Sequence, residues 1–258
     1  MDKGNINRRL ILIANDGGEK NKLPGVAIDM KNYHDFFTRP EGGAWDEDEE
    51  IHTMVDFSSA SLLHNYIMMM ESSKHVDYWL IVFCGHGFVN SYNDTVLCMS
   101  DGSEVSASEI NTWVTYSPCT LIADCCRKKE DVEVSELIEE SLFSDTVMEL
   151  NKDACKLAYN RFLGTLPSGS FFAAYATNIG ECAGDSDMLG GVYSYNLLKS
   201  ADQVKQQLVV NYLRNGESAV SLAQVHDSAY PKVVKMRKGR QHPCRSNNTN
   251  IIPFVVIA

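Results

Sequence analysis

The sequence predicts an α/β fold: a central, mostly parallel sheet of about six strands with helices on both faces. Three observations predict it. Short apolar runs (RLILIA at 9–14, YWLIVFC at 78–84, CTLIAD at 119–124 and SFFAAYAT at 170–177) are apolar throughout, as strands buried on both faces are. Stretches of helical spacing separate them, the order expected of parallel strands joined by crossovers. The 258 residues are 44% hydrophobic and 22% charged, which excludes a collagen-like, low-complexity or largely disordered chain.

The elements follow in order. RLILIA reads as a buried strand. LPGVAIDMKNYHDFF (23–37) has apolar residues at 23, 26, 30, 33, 36 and 37, which is helical spacing. IHTMVDF (51–57) reads as a partly buried strand, and SSASLLHNYIMMMESS (58–73) as a helix capped by Ser58 or Ser59. YWLIVFC, β-branched and aromatic, reads as a central strand. A short helix over 106–116 precedes CTLIAD. A helix starts within 191–200, more helix is expected over 202–214 and 217–229, and FVVIA (254–258) closes the chain as a strand. No repeat and no Pro/Gly/Ser-rich linker divides the chain, which reads as one domain over 1–258. The one compositional break is 127–168, basic, then acidic, then mixed. It is long for a connection between strands and predicts a flexible, cleavable linker.

The net charge is −11, with no basic stripe, so a nucleic-acid partner is not expected. The one basic cluster, KVVKMRKGR (232–240), reads as a solvated face or loop. The longest apolar runs, WLIVFC (79–84) and IIPFVVIA (251–258), fall far short of the ~20 residues that span a bilayer. The N-terminal run lacks the apolar core of a signal peptide. Eight cysteines carry no C-x-x-C pair, so neither a disulfide framework nor a zinc site is expected, and a reducing cytoplasm is.

Two strands end in reactive residues. YWLIVFC runs into Gly85-His86-Gly87, and CTLIAD into Cys125-Cys126-Arg127. In an open parallel sheet, ligands bind beyond the carboxyl ends of the strands. Adjacent parallel strands would therefore bring His86 and Cys125 or Cys126 to one edge. An imidazole beside a thiol can take its proton, and the thiolate is the nucleophile. The N–H groups of Gly87 and of the nucleophile could then receive an oxyanion.

The pattern apolar strand–GHG, then some forty residues later apolar strand–DCC, resembles the caspase-like cysteine peptidases, most closely the metacaspases and bacterial orthocaspases. LPGVAIDMKNYHDFF is similar to the family's N-terminal L-x-G-x-x-x-D helix. SFFAAYATNIGECAGDSDMLGGVYSYNLLK resembles its small-subunit segment, and QHP (241–243) with a final apolar strand resembles its C-terminus. The resemblance implies a three-layer αβα caspase fold. Residues 1–126 would be large-subunit-like, 127–168 the linker and 169–258 small-subunit-like. It further implies His86 as base and acid, Cys126 as nucleophile with Cys125 its neighbour, and Gly87 and Cys126 as oxyanion donors. Asp29 and Asp124 would line an S1 pocket that takes Arg, and less well Lys, from a protein or peptide substrate. The family's self-processing would fall at Lys128, Lys129, Lys152, Lys156 or Arg161.

The sequence departs from the pattern in three places. Arg127-Lys128-Lys129 replaces a small residue and Gly, and Val26 stands where many metacaspases have Cys. Only Asp94, Asp101 and Glu104 remain of the acidic cluster of calcium-dependent members, so no cofactor is expected. A regulatory protein partner stays open. So does a second function, a caspase-fold pseudo-protease serving as a binding scaffold. NDGGEK (15–20) lacks the glycine pattern of a nucleotide site.

Overall fold

The computed structural model describes residues 6–18, 21–55, 58–114, 116–128, 149–246 and 251–258, with backbone alone at 210–215. The first half contains β1 (Arg8–Asn15), α1 (Val26–Thr38), β2 (Ile51–Val55), α2 (Ala60–Ser73), β3 (Tyr78–Gly85), β4 (Gly87–Val89), β5 (Thr95–Cys98), β6 (Glu104–Ser106), α3 (Ala107–Trp113) and β7 (Cys119–Asp124). The second half contains α4 (Lys152–Leu163), β8 (Phe171–Tyr175), α5 (Val192–Asn215), β9 (Ser218–Ser221), α6 (Leu222–Met236), β10 (Cys244–Arg245) and β11 (Pro253–Ile257).

Six strands form the central sheet in the order β10-β8-β7-β3-β1-β2. All its pairs are parallel except β10 with β8. Side-chain alternation along each strand sorts the core into two layers. Leu10, Leu12, Leu80, Val82 and Ile122 face α1, α4, α5 and α6. Ile11, Ile13, Ile81, Phe83 and Leu121 face α2 and α3. The expected αβα sandwich is therefore present.

Local chemistry sets several boundaries. The Ser59 hydroxyl accepts from Leu62 N–H at 2.9 Å and starts α2. Ser106 with Glu109, and Ser221 with Gln224, form capping boxes at α3 and α6.

Four expectations need correction. The stretch 127–168 is not one linker. Residues 129–148 lie outside the described residues, and Lys152–Leu163 is a helix with Cys155, Ala158, Tyr159 and Leu163 buried. Tyr159 packs edge-on to Trp45, whose ring carries the Arg8 guanidinium at 4.2 Å. Glu50 pairs with both Arg8 and Lys156 at 3.1 Å, tying α4 to the start of β1. Second, the expected helix over 217–229 begins as a strand, β9, because it pairs with β11 in a separate two-stranded sheet. FVVIA thus lies outside the central sheet, whose sixth strand is the two-residue β10. Third, the helical signals at 191–200 and 202–214 belong to one helix, α5. Fourth, the basic cluster is not wholly solvated: Val233 and Arg237 are buried.

The packing of α4 has a proteolytic consequence. Helical backbone must unwind before a protease can hold it extended. Limited trypsin digestion of the native protein should therefore leave the bonds after Lys156 and Arg161 intact long after exposed sites are cut. Early cleavage there, read by peptide mass mapping, would show that α4 is not packed.

Candidate active site

The parallel registers Asn15↔Gly85 and Cys84↔Asp124 bring the carboxyl ends of β1, β3 and β7 to one edge. A cleft at that edge is lined by Asp29, His86, Asp124, Cys126, Asp185 and Gly191, among others. Four residues singled out from the sequence, Asp29, His86, Asp124 and Cys126, thus meet. Gly87 directly follows His86. It opens β4, and a Cβ there would stand 2.7 Å from Cys125 Sγ, so the absence of a side chain lets the two segments touch.

His86 is half-buried, and its Nε2 is 2.7 Å from the Asn21 carbonyl. A carbonyl can only accept, so Nε2 carries the proton and Nδ1 of the neutral ring is the acceptor. The loop that supplies this carbonyl is itself held. Asn15 donates to the Cys98 carbonyl at 2.6 Å and accepts from Gly17 N–H at 3.0 Å, and Leu23 N–H bonds the Asp16 carbonyl at 2.7 Å. Gly17 has φ +80°, and a Cβ there would lie 2.3 Å from His86 Nε2. Both conformation and space require glycine.

Alternation separates the two cysteines. Cys125 continues the series Leu121, Ala123 into the core against α2 and α3. Cys126 continues the series Ile122, Asp124 on the other side and lines the cleft at 7% exposure. Arg127 is buried rather than solvated. Its guanidinium lies 4.3 Å from the Tyr175 ring and donates to the Thr177 carbonyl at 3.2 Å and to Cys244 Sγ at 2.9 Å. It anchors the turn after Cys126 to β8 and β10, a task that a small residue could not perform.

Three carboxyl groups share the cleft. Both oxygens of Asp29 accept from Gly191 N–H at 2.9 Å. Asp124 accepts from Ser194 N–H at 2.9 Å and from its hydroxyl at 2.7 Å. Asp185 accepts from Gly25 N–H at 3.0 Å. Gly191 and Ser194 belong to the start of α5, where the helix dipole favours negative charge. A Cβ on Gly191 would stand 2.3 Å from Asp124 Oδ2 and 2.9 Å from Asp29 Oδ2. Sequence reasoning missed Asp185, which lies in GECAGDSDMLGG (180–191) and looks there like any polar loop acid. By contrast, Asp94 and Asp101 bond Ser108 and Ser103 in turns beyond opposite ends of β5. Among the described residues, no three His, Cys, Asp or Glu side chains gather as a metal site would require.

The family model of the caspase domain, a peptidase family, matches residues 7–255. The chain belongs to the caspase-domain family. Its members are cysteine peptidases that hydrolyse protein substrates. The crystal structure of caspase-1 from Spodoptera frugiperda is similar in fold, with a TM-score of 0.57 over 94% of this chain and 88% of that one, at 11% identity. No curated protein sequence matches. In this caspase domain, no helix among the described residues is long and apolar enough to cross a membrane.

Burial dominates the electrostatics of the cleft. It raises the Asp29 carboxyl well above the ordinary range, aided by the nearby Asp124, and it raises Asp185. Asp124 is pushed up to about 6, again by burial, against the opposing pull of the Ser194 bonds. The Cys126 thiol is pushed up to about 12, first by burial and then by the neighbouring Cys182. The thiol is therefore neutral at rest.

These shifts make the cleft a cost to stability. A carboxyl whose native pKa exceeds its unfolded value holds more protons when folded, so stability falls as pH rises between the two values. For Asp124 that window runs from about 4 to about 6, and about two pKa units correspond to about 3 kcal/mol. Asp124→Asn should unfold at a higher temperature than wild type at pH 8, and the gain should vanish towards pH 4. Thermal scans at both pH values test this; a pH-independent difference would contradict it.

Proposed function

We propose that this caspase domain is an endopeptidase of the metacaspase and orthocaspase type that cleaves after Arg, and less well after Lys. The observation that carries the reading is the convergence of three buried carboxyl groups on a cleft that also holds the Cys126 thiol. Burial raises the proton affinity of all three acids, and a cation brought among them relieves it. A guanidinium can bond two carboxylates through paired charge-assisted bonds, whereas the Lys ammonium is a point charge. An acidic P1 side chain meets like charge. Asp124, two residues before the thiol, lies beside the P1 side chain in this reading, with Asp29 and Asp185 around it.

The chemistry is acyl transfer. His86 Nδ1, the free acceptor of a ring held at Nε2, takes the Cys126 proton as sulfur attacks the scissile carbonyl. The C–S bond forms while the N–H groups of Gly87 and Cys126 receive the oxyanion. His86 returns its proton to the leaving amine as the C–N bond breaks. Water, deprotonated by His86, then hydrolyses the thioester and frees Cys126. Because the resting thiol is neutral, proton transfer accompanies attack rather than preceding it. The cycle calls for no metal. All eight cysteines are free, which supports a reducing, cytoplasmic setting, and the acidic balance disfavours a nucleic-acid partner.

Cys126→Ala and His86→Ala should each lower kcat/KM for an Arg-P1 fluorogenic peptide by about 10³-fold or more. The double variant should be scarcely worse, since the pair acts as one unit. Cys125→Ala should keep most activity. Loss with Cys125→Ala and retention with Cys126→Ala would reverse the assignment. No hydrolysis by wild type of any basic-P1 peptide would favour the scaffold reading instead.

Across peptides differing only at P1, the order should be Arg above Lys, with Asp uncut. Asp124→Asn, Asp29→Asn and Asp185→Asn should each cost about 2–5 kcal/mol of Arg-P1 transition-state binding, the scale for a buried charge that loses its partner. KM for Arg peptides should rise as pH falls through about 6, because the incoming cation must displace a proton from Asp124. Efficient cleavage after Asp, or unchanged Arg turnover in all three variants, would sink the pocket assignment.

A further inference from the structure

Cys182 plays no part in the mechanism above, yet it stands against Cys126. Arg127 N–H bonds the Glu181 carbonyl at 2.9 Å, and Gly180 N–H bonds the Arg127 carbonyl at 2.8 Å. This is a bulged antiparallel bridge in which Gly180 and Glu181 both face Arg127. The next pair along it is Cys126 opposite Cys182, and the two sulfurs are close enough to interact electrostatically. Directly opposed residues of this kind have Cα atoms about 4.5–5.5 Å apart, inside the range of about 4.4–6.8 Å that a disulfide spans. The loop around Cys182 is pinned on both sides. Glu181 accepts from His242 N–H at 2.7 Å and bonds its ring at 2.6 Å, while Gly184 N–H bonds the buried Gln241 side chain at 2.9 Å. Arg237, only 4% exposed, lies against Gly184 within electrostatic reach of both sulfurs. Cys182 is half-buried, more open than Cys126.

We propose that Cys126 and Cys182 are a redox modification site, which a hydroperoxide closes to a reversible disulfide. The Cys182 thiolate attacks one peroxide oxygen. An S–O bond forms, the O–O bond breaks, and water leaves once the departing oxygen takes a proton. Cys126 gives up its proton as its sulfur attacks the Cys182 sulfenic sulfur; the S–S bond forms, and the sulfenic oxygen takes that proton and leaves as a second molecule of water. Two thiols lose two electrons and two protons, and hydrogen peroxide is reduced to two waters. A dithiol reductant reopens the bond. The lock also keeps Cys126 from the irreversible sulfinic and sulfonic acids. The disulfide rests on the dithiol alone, and the silencing of hydrolysis rests on Cys126 being the nucleophile.

The test is to treat the reduced full chain with hydrogen peroxide and follow it by non-reducing peptide mass mapping and by Arg-P1 hydrolysis, each variant normalised to its own untreated rate. Wild type should lose about two hydrogens in mass, yield a Cys126–Cys182 cross-linked peptide, fall about tenfold or more in activity, and recover with dithiothreitol. Cys182→Ser should give no such peptide, gain oxygen on Cys126 and fail to recover, and Cys126→Ser should give no cross-link. Absence of the cross-link in wild type, Cys126 joined to another cysteine, or reductant recovery of Cys182→Ser equal to wild type would overturn the proposal. A cross-link with no loss of an existing peptidase activity would uphold the disulfide and refute Cys126 as nucleophile, so the two failures are distinguishable.

Discussion

Three aspartates are buried against one another, and the hydrogen bonds that make this tolerable are the ones that join the two halves of the chain. Asp29 of α1 accepts from Gly191 at the start of α5, while Asp185 in the loop before α5 accepts from Gly25 just ahead of α1. Asp124 at the end of β7 accepts from Ser194, one turn further along α5. The first helix, the central strand end and the 178–191 loop are thereby stitched through reciprocal carboxylate–amide bonds. Moving one of them strands a buried carboxylate, a loss of about 1–3 kcal/mol or more per group. The same bonds leave the acids short of positive charge. The burial of these acids is therefore a cost to stability at this cleft, a common condition of functional sites.

The rest of the site follows from sheet geometry. Parallel strands present their carboxyl ends together, so the residues after β1, β3 and β7 must share one edge. Within β7, alternation sends Ala123 and Cys125 into one hydrophobic layer, and Asp124 and Cys126 into the cleft. His86 depends on the Asn21 backbone carbonyl rather than a carboxylate for its orientation. The cleft thus collects three acids, a thiol and an imidazole.

Much of this is legible in the order of the amino acids. Apolar strands ending in Gly-His-Gly and Asp-Cys-Cys mark the edge that carries the cleft, because buried strands read clearly and strand ends carry chemistry. The α1 pattern carries Asp29, and Ser59 announces the start of α2. The misses share a cause. Lys152–Leu163 reads as linker because its partners Trp45 and Arg8 are more than a hundred residues away in sequence. β9 reads as helical because strand pairing with β11 leaves no local trace. Arg127 reads as disruptive, although the Tyr175 ring, the Thr177 carbonyl and Cys244 wait for it across the sheet.

The sequence by itself determined the fold class, the strand ends that carry His86 and the Cys125-Cys126 pair, and the caspase family, because these rest on patterns within single segments: apolar runs, helical spacing and the residues that end strands. Only the tertiary structure decided that Cys125 belongs to the core and Cys126 to the cleft, that Asp185 joins Asp29 and Asp124, and that Cys182 stands opposite the cleft thiol. Each of these is a contact between segments far apart in the chain, made when strands pair and a loop folds back over them. A local pattern holds no record of which distant residue will close the distance.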